Sequence, residues 1–181
     1  MRASQATFPD DRAISPYTRS CLPRIRKNHA LDVLDIPSGF GRHSLFLAGL
    51  GHRVVSVDVD EKRLVHAAVI WDHEQRTSGT LAHVVADARH DLPFPADAFD
   101  LVLVVHYVSD RIIEAVCPLI RRGGLLLYET FGAQGDNWKD LPLAGATASR
   151  LRDFEILDLR ERPVQRSACV AVTVKMLARK L

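Results

Sequence analysis

Two glycines and an aspartate occur at a spacing that is typical of a ligand-binding loop. Gly39 and Gly41 leave room for a tight backbone turn close to a ligand. Residues 42–50 then open a helix whose N-terminal N–H groups can meet a negative group. Asp58 lies 19 residues beyond Gly39, where a carboxylate can accept two hydrogen bonds from a ribose diol. The spacing therefore predicts a site for an adenosine-containing ligand.

Two buried strands must position this loop. Residues 31–35 include the apolar pair Val33 and Leu34 without polar alternation, which is typical of a central parallel strand. Residues 53–57 form a second apolar run that leads directly into Asp58. The helix between them is predicted to end at Gly51, a natural C-cap. The loop and the carboxylate are thus expected at the carboxyl ends of two neighbouring strands.

Apolar periodicity predicts the remaining elements. Asp110 is expected to cap a helix over 110–121, and Pro118 is expected to end or kink that helix early. The last two strands have only a short connection, so they must be antiparallel. The pattern predicts one α/β domain in which parallel strands alternate with helices before a terminal antiparallel pair. Further helices are predicted over 15–25, 61–74, 110–121 and 144–152, and further strands over 81–86, 100–105, 125–130, 154–160 and 168–177.

Two cofactors fit the loop. A dinucleotide fingerprint needs a third glycine where this chain has Ser44, so that fingerprint is incomplete. The segment from Asp35 to Gly41, Asp-Ile-Pro-Ser-Gly-Phe-Gly, instead resembles the first motif of class I S-adenosylmethionine (SAM)-dependent methyltransferases. Pro37 stands where the common form of that motif has its first glycine.

The resemblance continues downstream and covers roughly residues 15–178. Residues 84–88 and the segment LPFPADAFDLVLV at 92–104 are similar to members of the same family. The HYV and YETF segments at 106–108 and 128–131 together resemble a small bacterial subgroup related to the tellurite-resistance methyltransferases. The resemblance implies a doubly wound, Rossmann-like, seven-stranded mixed sheet of order 3-2-1-4-5-7-6, with a C-terminal antiparallel strand pair.

The resemblance also implies roles for individual residues. Asp58 would accept from the ribose hydroxyls, Val59 would pack on the adenine, and Asp87 with Ala88 would read the adenine edge. The remaining cofactor-binding residues would surround the methionine part, Arg42 pairing with its carboxylate; they are Asp35, Ser38, Gly39, Phe40, Gly41, Arg42 and Val105.

No catalytic residue is assigned, because transfer from a sulfonium depends mainly on positioning. His106 and Tyr107 are weak candidates on the acceptor side, since a histidine pKa lies near neutrality. Tyr128 and Glu129 are weaker candidates for acceptor contact. Asn137 and Trp138 are placed in a loop that could line the acceptor pocket.

Composition limits the function classes. A net charge of +2 and a hydrophobic fraction of 47% predict a globular domain without the basic footprint of a nucleic-acid-binding protein. Neither a membrane span nor a metal-ligand cluster is apparent. Residues 1–14 are expected to be a flexible segment before a single domain at 15–181. Cys117 and Cys169 are expected to be buried thiols, and three cysteines without a C-x-x-C pair favour the cytoplasm.

The sequence therefore predicts a cytoplasmic SAM-dependent methyltransferase that acts on a small molecule, with a metalloid oxyanion among the candidate acceptors. One alternative is a module that binds the cofactor without catalysis. A second alternative is a nicotinamide-dependent reductase, against which Ser44 and the C-terminal strand pair argue. The acceptor and the oligomeric state are left open.

Overall fold

A computed structural model of the protein describes residues 14–25, 28–74, 78–90, 92–130, 137–164 and 171–181. A helix precedes each of the first three strands and another lies between the fourth and the fifth, whereas the described residues between the third and fourth strands contain no helix; a 3-10 turn, a short helix and two strands follow the fifth. The helices are α1 (Pro16–Ile25), α2 (Arg42–Gly49), α3 (Glu61–Glu74), α4 (Ile112–Val116) and α5 (Ala146–Ser149); the strands are β1 (Asp32–Asp35), β2 (Arg53–Asp58), β3 (Thr80–Val85), β4 (Phe99–Val105), β5 (Ile120–Glu129), β6 (Phe154–Pro163) and β7 (Val172–Lys180).

The seven strands form one sheet in the order β3-β2-β1-β4-β5-β7-β6. The first five strands are parallel to one another, and β7 pairs antiparallel with both β5 and β6. The predicted fold class and strand order are therefore confirmed. Because β1 lies in the middle and the chain winds outward from it to both sides, the carboxyl ends of β1 and β4 border a crevice at the switch point.

Apolar side chains cover both faces of the central strands. Val33 and Leu34 are fully buried on opposite faces, in two separate core clusters. One cluster lies beneath α1 and α2 and includes Leu47, Leu103 and Val105. Burial on both faces explains why these strands read as continuous apolar runs rather than as alternating ones.

The predicted helix over 110–121 is wrong in its second half. Helix α4 ends at Val116, a single 3-10 turn covers Cys117–Leu119, and β5 already begins at Ile120 rather than at 125. Pro118 ends the helix early, as expected, because proline cannot donate to the preceding turn. Asp110 provides no side-chain cap; its carboxylate accepts from Arg150 Nε at 2.9 Å.

The boundaries at the chain ends also differ from the prediction. Ile14, assigned to the flexible segment, is buried in the core beneath α1; residues 1–13 lie outside the described residues. Cys117 is only half-buried, whereas Cys21, for which no burial was predicted, is buried. Cys169 lies outside the described residues. Among the helices that the structure describes, none has the length and apolar character needed to cross a bilayer.

Candidate functional site

A cleft of about 420 Å³ opens at the carboxyl ends of β1, β2 and β4. It lies where doubly wound sheets bind their ligands, and its size suits a small-molecule site. Most of the residues predicted to hold a cofactor line it. The lining residues are Pro37, Ser38, Gly39, Phe40, Arg42, His43, Asp58, Arg63, Val105 and His106.

The glycine loop needs both of its glycines, for different reasons. Gly39 and Gly41 have φ angles of +56° and +75°, a region that favours glycine. A Cβ at Gly41 would also lie 2.7 Å from Cβ of Ala67, whereas a Cβ at Gly39 would meet nothing within 4 Å. Gly41 therefore lets α2 approach α3 closely, and Gly39 keeps the loop open towards the cleft.

Asp58 is held in place by the loop that it faces. The residue is only 3% exposed, and its Oδ2 accepts from the backbone N–H of Gly39 at 2.8 Å. Its Oδ1 accepts from the N–H of Asp60 at 2.9 Å. Each carboxylate oxygen has a second lone pair, so Asp58 can still accept hydrogen bonds from a ligand in the cleft.

Asp35 lies beneath the loop, and its partner is the residue that interrupts the dinucleotide fingerprint. The hydroxyl of Ser44 donates to Asp35 Oδ2 at 2.5 Å, and both residues are buried. Burial raises the pKa of Asp35 to about 6, although the hydrogen bond from Ser44 opposes the shift. A glycine at position 44 would leave this carboxyl without its hydroxyl donor.

Arg42 and His106 meet across the mouth of the cleft. Arg42 Nη2 lies 2.8 Å from Nδ1 of His106. A guanidinium only donates, so Nδ1 must accept and the ring proton of a neutral His106 lies on Nε2. His106 has a left-handed backbone with φ of +61°. Partial burial and the Arg42 charge lower the pKa of His106.

His43 extends this group into the interior. It is buried, and its Nε2 accepts from the backbone N–H of Ser15 at 3.1 Å. Burial, with Arg42 and His106 nearby, lowers the pKa of His43 to about 3. His43 was not predicted as a site residue, although its position in the first turn of α2 is a signal that could have identified it.

A second cleft of about 280 Å³ adjoins the first and shares Pro37 and Asp58 with it. Val59, 65% exposed, lies on its wall together with Asp87, Ala88 and Tyr107. This set contains the residues predicted to surround the adenine.

Asp87 already has a partner in this second cleft. Its Oδ2 accepts from Arg89 Nη2 at 2.7 Å, and its Oδ1 accepts from the Arg89 backbone N–H at 2.9 Å. The bonds from Arg89 hold the pKa of Asp87 well below its usual range. A ligand that bonds to Asp87 must therefore share this carboxylate with Arg89.

Phe40 stands at the entrance of the main cleft with a 62% exposed side chain. Its ring meets the His66 ring edge-on at 5.5 Å, and the Arg63 guanidinium lies 5.5 Å from the ring centroid. These contacts hold the apolar ring in a solvent-exposed position beside the glycine loop. Arg63 was not predicted, because the spacing of Phe40 and α3 in the sequence does not indicate their contact.

Two further residues predicted to contact an acceptor, Tyr128 and Glu129, do not line the two clefts. Tyr128 is fully buried in the core, so its predicted contact with an acceptor is wrong. Glu129 is buried too and accepts from Ser15 Oγ at 2.5 Å. Asn137 and Trp138 begin a short 3-10 turn, and their side chains lie outside the description. Ser38, in contrast, lines the main cleft and accepts from Ser56 Oγ at 2.7 Å.

Comparisons with known proteins concern the family and the fold. A family model described as a methyltransferase domain matches residues 33–124. No curated protein matches the chain significantly.

Solved structures share the fold. A SAM-dependent methyltransferase from Methanosarcina mazei is 20% identical with a TM-score of 0.65, over 93% of this chain and 98% of that one. TehB from Haemophilus influenzae is 20% identical with a TM-score of 0.67, over 93% of this chain and 63% of that one. The [4+2]-cyclase SpnF is 20% identical with a TM-score of 0.70, over 90% and 79%. At such identity the likeness concerns the fold alone.

Proposed function

Because this chain belongs to the class I SAM-dependent methyltransferases, with S-adenosylmethionine as the expected cofactor, we propose that it methylates a small-molecule acceptor. The observation that carries the proposal is the buried carboxylate of Asp58, held by Gly39 at the end of β2. The resemblance to tellurite-resistance-type enzymes adds metalloid oxyanions to the acceptors worth testing.

In this proposal the residues of the two clefts bind different parts of the cofactor. Asp58 accepts from the ribose hydroxyls with its remaining lone pairs, and Val59 packs on the adenine. Asp87 and Ala88 read the adenine edge, with Arg89 sharing the Asp87 carboxylate.

The methionine part belongs to the first cleft. Arg42 is proposed to pair with the carboxylate of the methionine part. The Val105 carbonyl and the Asp35 carboxylate are proposed to accept hydrogen bonds from its amino group. Asp35 has a pKa of about 6 through burial, and a neighbouring ammonium would favour its charged form. The backbone of the loop, Ser38 to Gly41, contributes its shape to the same part of the site.

When bound, the cofactor would supply a methyl group that its sulfonium activates for transfer to the acceptor. The chain's residues then have to align the acceptor, and alignment alone can supply roughly 7–11 kcal/mol. His106 and Tyr107 border this space. Since Arg42 occupies the Nδ1 lone pair of His106, His106 could take a proton there only after releasing Arg42.

A cytoplasmic location is part of the proposal. It rests on the free thiols of Cys21 and Cys117, which fit a reducing compartment.

Calorimetry with SAM, its demethylated product and NADH tests the proposal. We expect the two sulfur compounds to bind and NADH not to bind. Asp58→Ala should weaken SAM binding by about 1 kcal/mol or more, because ribose donors lose their acceptor. Asp72→Ala, on the exposed part of α3, is the matched control. Equal affinity in the two variants would refute the assigned role of Asp58.

A second candidate is a module that binds SAM without transferring its methyl group. The hydrogen bond between Arg42 and His106 favours it, because it occupies the Nδ1 lone pair with which His106 would accept a proton from an acceptor. Incubation with methyl-labelled SAM and a broad acceptor panel separates the two candidates. Binding without any labelled product would support the module.

A further inference from the structure

A separate cavity of about 160 Å³ lies at the carboxyl edge of the sheet, between the first turns of α1 and the strands β6 and β7. All the charged residues that line it are cations, accompanied by two hydroxyls and one aromatic ring. We call it the cationic pocket. Its lining residues are Pro16, Tyr17, Ser20, Arg160, Arg162, Thr173 and Lys175.

Two of the three lining cations have carboxylate partners. Lys175 Nζ lies 2.8 Å from Glu129 Oε1, and Arg160 Nε lies 3.0 Å from Asp158 Oδ2. Neither carboxylate lines the pocket. In the described part of the chain, no carboxylate forms an ion pair with Arg162. The pocket therefore has a positive potential that its own lining does not neutralise.

The ring of Tyr17 forms the base beneath two of these cations. The Arg160 guanidinium lies 5.3 Å and the Lys175 ammonium 5.8 Å from the ring centroid. A ring face attracts cations at such distances, so it helps to hold both heads on one side of the pocket. The two converging cations and the Thr173 hydroxyl provide the donors that a carboxylate or phosphate group requires, whereas the Ser20 hydroxyl already donates to the Tyr17 carbonyl at 2.7 Å.

Strand register relates the cationic pocket to the cofactor cleft, which is the main cleft at the carboxyl ends of β1, β2 and β4. Val105, which lines the cleft, is paired with Glu129 on β5, and Glu129 is paired with Lys175 on β7. Lys175 is in turn paired with Arg160 on β6. Residues paired in this way point to the same face of a sheet. With neighbouring strands about 4.8 Å apart, Lys175 lies roughly 10 Å from Val105.

We propose that the cationic pocket binds a carboxylate or phosphate group of the methyl acceptor, whose nucleophilic atom then reaches the cofactor cleft about 10 Å away. This inference rests on the proposed function. A volume of about 160 Å³ accommodates such a group but not a second nucleotide. The acceptor is thus an anionic small molecule, selected by charge at one end and methylated at the other.

Inorganic phosphate is the probe for the pocket. In ¹⁵N NMR titrations of the full chain at constant ionic strength, we expect the amides of Ser20 and Thr173 to shift saturably and Gly39 to stay unchanged. Arg162→Gln should weaken phosphate binding at least tenfold. Arg122→Gln removes a similarly exposed arginine near the start of β5 and should leave binding as in the wild type.

Shifts centred on Gly39, no saturation, or equal phosphate affinity in Arg162→Gln and Arg122→Gln would overturn the pocket assignment. Calorimetry with demethylated SAM on the same samples separates this failure from a failure of the proposed function. Binding of that product with no response to phosphate rejects the pocket alone. Absence of product binding in the wild type rejects the proposed function.

A library of matched acceptors tests the link to methyl transfer. Each carboxylate or phosphate member is paired with its neutral amide or methyl ester, and labelled SAM reports transfer. We expect the anionic members to be methylated preferentially, and Arg162→Gln to raise their KM while kcat changes little. A library in which no anionic member is methylated, or in which the neutral partners react equally well, overturns the acceptor assignment.

Discussion

The carboxyl edge of the sheet has two halves that differ in their charged side chains. The half formed by β1 and β2 presents two buried carboxylates, Asp35 and Asp58, beneath a glycine loop. The half formed by β6 and β7 presents Arg160, Arg162 and Lys175 around a small cavity. The cleft of the first half also contains Arg42 and Arg63, so the first half offers a ligand both acceptors and donors, whereas the charged groups of the second half are all donors.

The two halves also differ in how the chain assembles them. The acidic half comes from one strand–loop–helix–strand segment, so its residues are near neighbours in the sequence. The cationic half joins Tyr17 of α1 to strands that follow more than a hundred residues later. Glu129 lies at the boundary and connects both halves, through Lys175 on one side and Ser15 on the other.

The largest effect is expected in the acidic half, from Gly41→Ala. The new Cβ would lie 2.7 Å from Ala67 Cβ in a left-handed backbone. Left-handed strain of about 1–2 kcal/mol and overpacking of about 1–3 kcal/mol should together lower the free energy of unfolding by about 3 kcal/mol. Urea denaturation measures this change.

Gly39→Ala is the matched control, because Gly39 also has a left-handed backbone but its new Cβ would meet no atom within 4 Å. We expect a loss of about 1 kcal/mol from strain alone. Equal losses in the two variants would mean that the contact between Gly41 and Ala67 does not matter for stability.

The boundary between the halves should give an intermediate effect. Lys175→Met leaves the Glu129 carboxylate, 4% exposed, without its cation. Removing one partner of a fully buried pair costs about 3–5 kcal/mol; because the Lys175 side chain is 37% exposed, we expect about 2 kcal/mol. Chemical denaturation of this variant and of Lys175→Met with Glu129→Gln should show recovery in the double variant.

Arg179→Met provides the control for that pair. It breaks an ion pair between Arg179 and Glu155 in which both side chains are about half exposed, and such pairs contribute about 0–1 kcal/mol. A loss as large as that of Lys175→Met would contradict the view that burial of Glu129 causes the effect.

The smallest effect concerns the pH dependence of the acidic half. Burial raises the pKa of Asp35 from 3.8 to about 6, so the stability it contributes is present below pH 3.8 and is lost as pH rises towards 6. Asp35→Asn removes this loss. Because the amide must also be desolvated, we expect a gain of about 1 kcal/mol at pH 7 without cofactor.

Unfolding free energies measured from pH 4 to pH 8 test this expectation, and Asp32→Asn is the control. The hydrogen bond from Arg53 lowers the pKa of Asp32, so its contribution is present above the ordinary pKa and is lost as pH falls. Asp32→Asn should therefore destabilise the protein at pH 7. Parallel pH profiles for the wild type and Asp35→Asn would contradict the buried-carboxyl argument.

Much of the fold could be predicted, because each central element carries its own periodic signal. Helix α3 was predicted at its observed bounds, Glu61–Glu74, and the C-terminal strands were predicted to be antiparallel from their short connection. The helix before β5 was predicted too long because its apolar run continues into the strand. In such a run, periodicity does not show where a helix gives way to a buried strand.

In the candidate site, too, the residues that follow from local spacing could be predicted and those that depend on tertiary contacts could not. The positions of Gly39, Gly41 and Asp58 follow from local spacing, because a loop between two adjacent strands brings them together in any sheet of this topology. His43 was missed because its partner, Ser15, is 28 residues away, directly before another helix. Tyr128 was misassigned because its burial depends on both neighbouring strands.

The sequence by itself determined the class of fold, the glycine loop and the place of Asp58, since local sterics and strand periodicity act over short stretches of chain. Only the tertiary structure decided which charges are neighbours. Strand register brings Lys175 beside Glu129 and Arg160, and the packing of α1 places Tyr17 beneath both cations. Such electrostatic contacts depend on distances through space, which separation along the chain does not reveal.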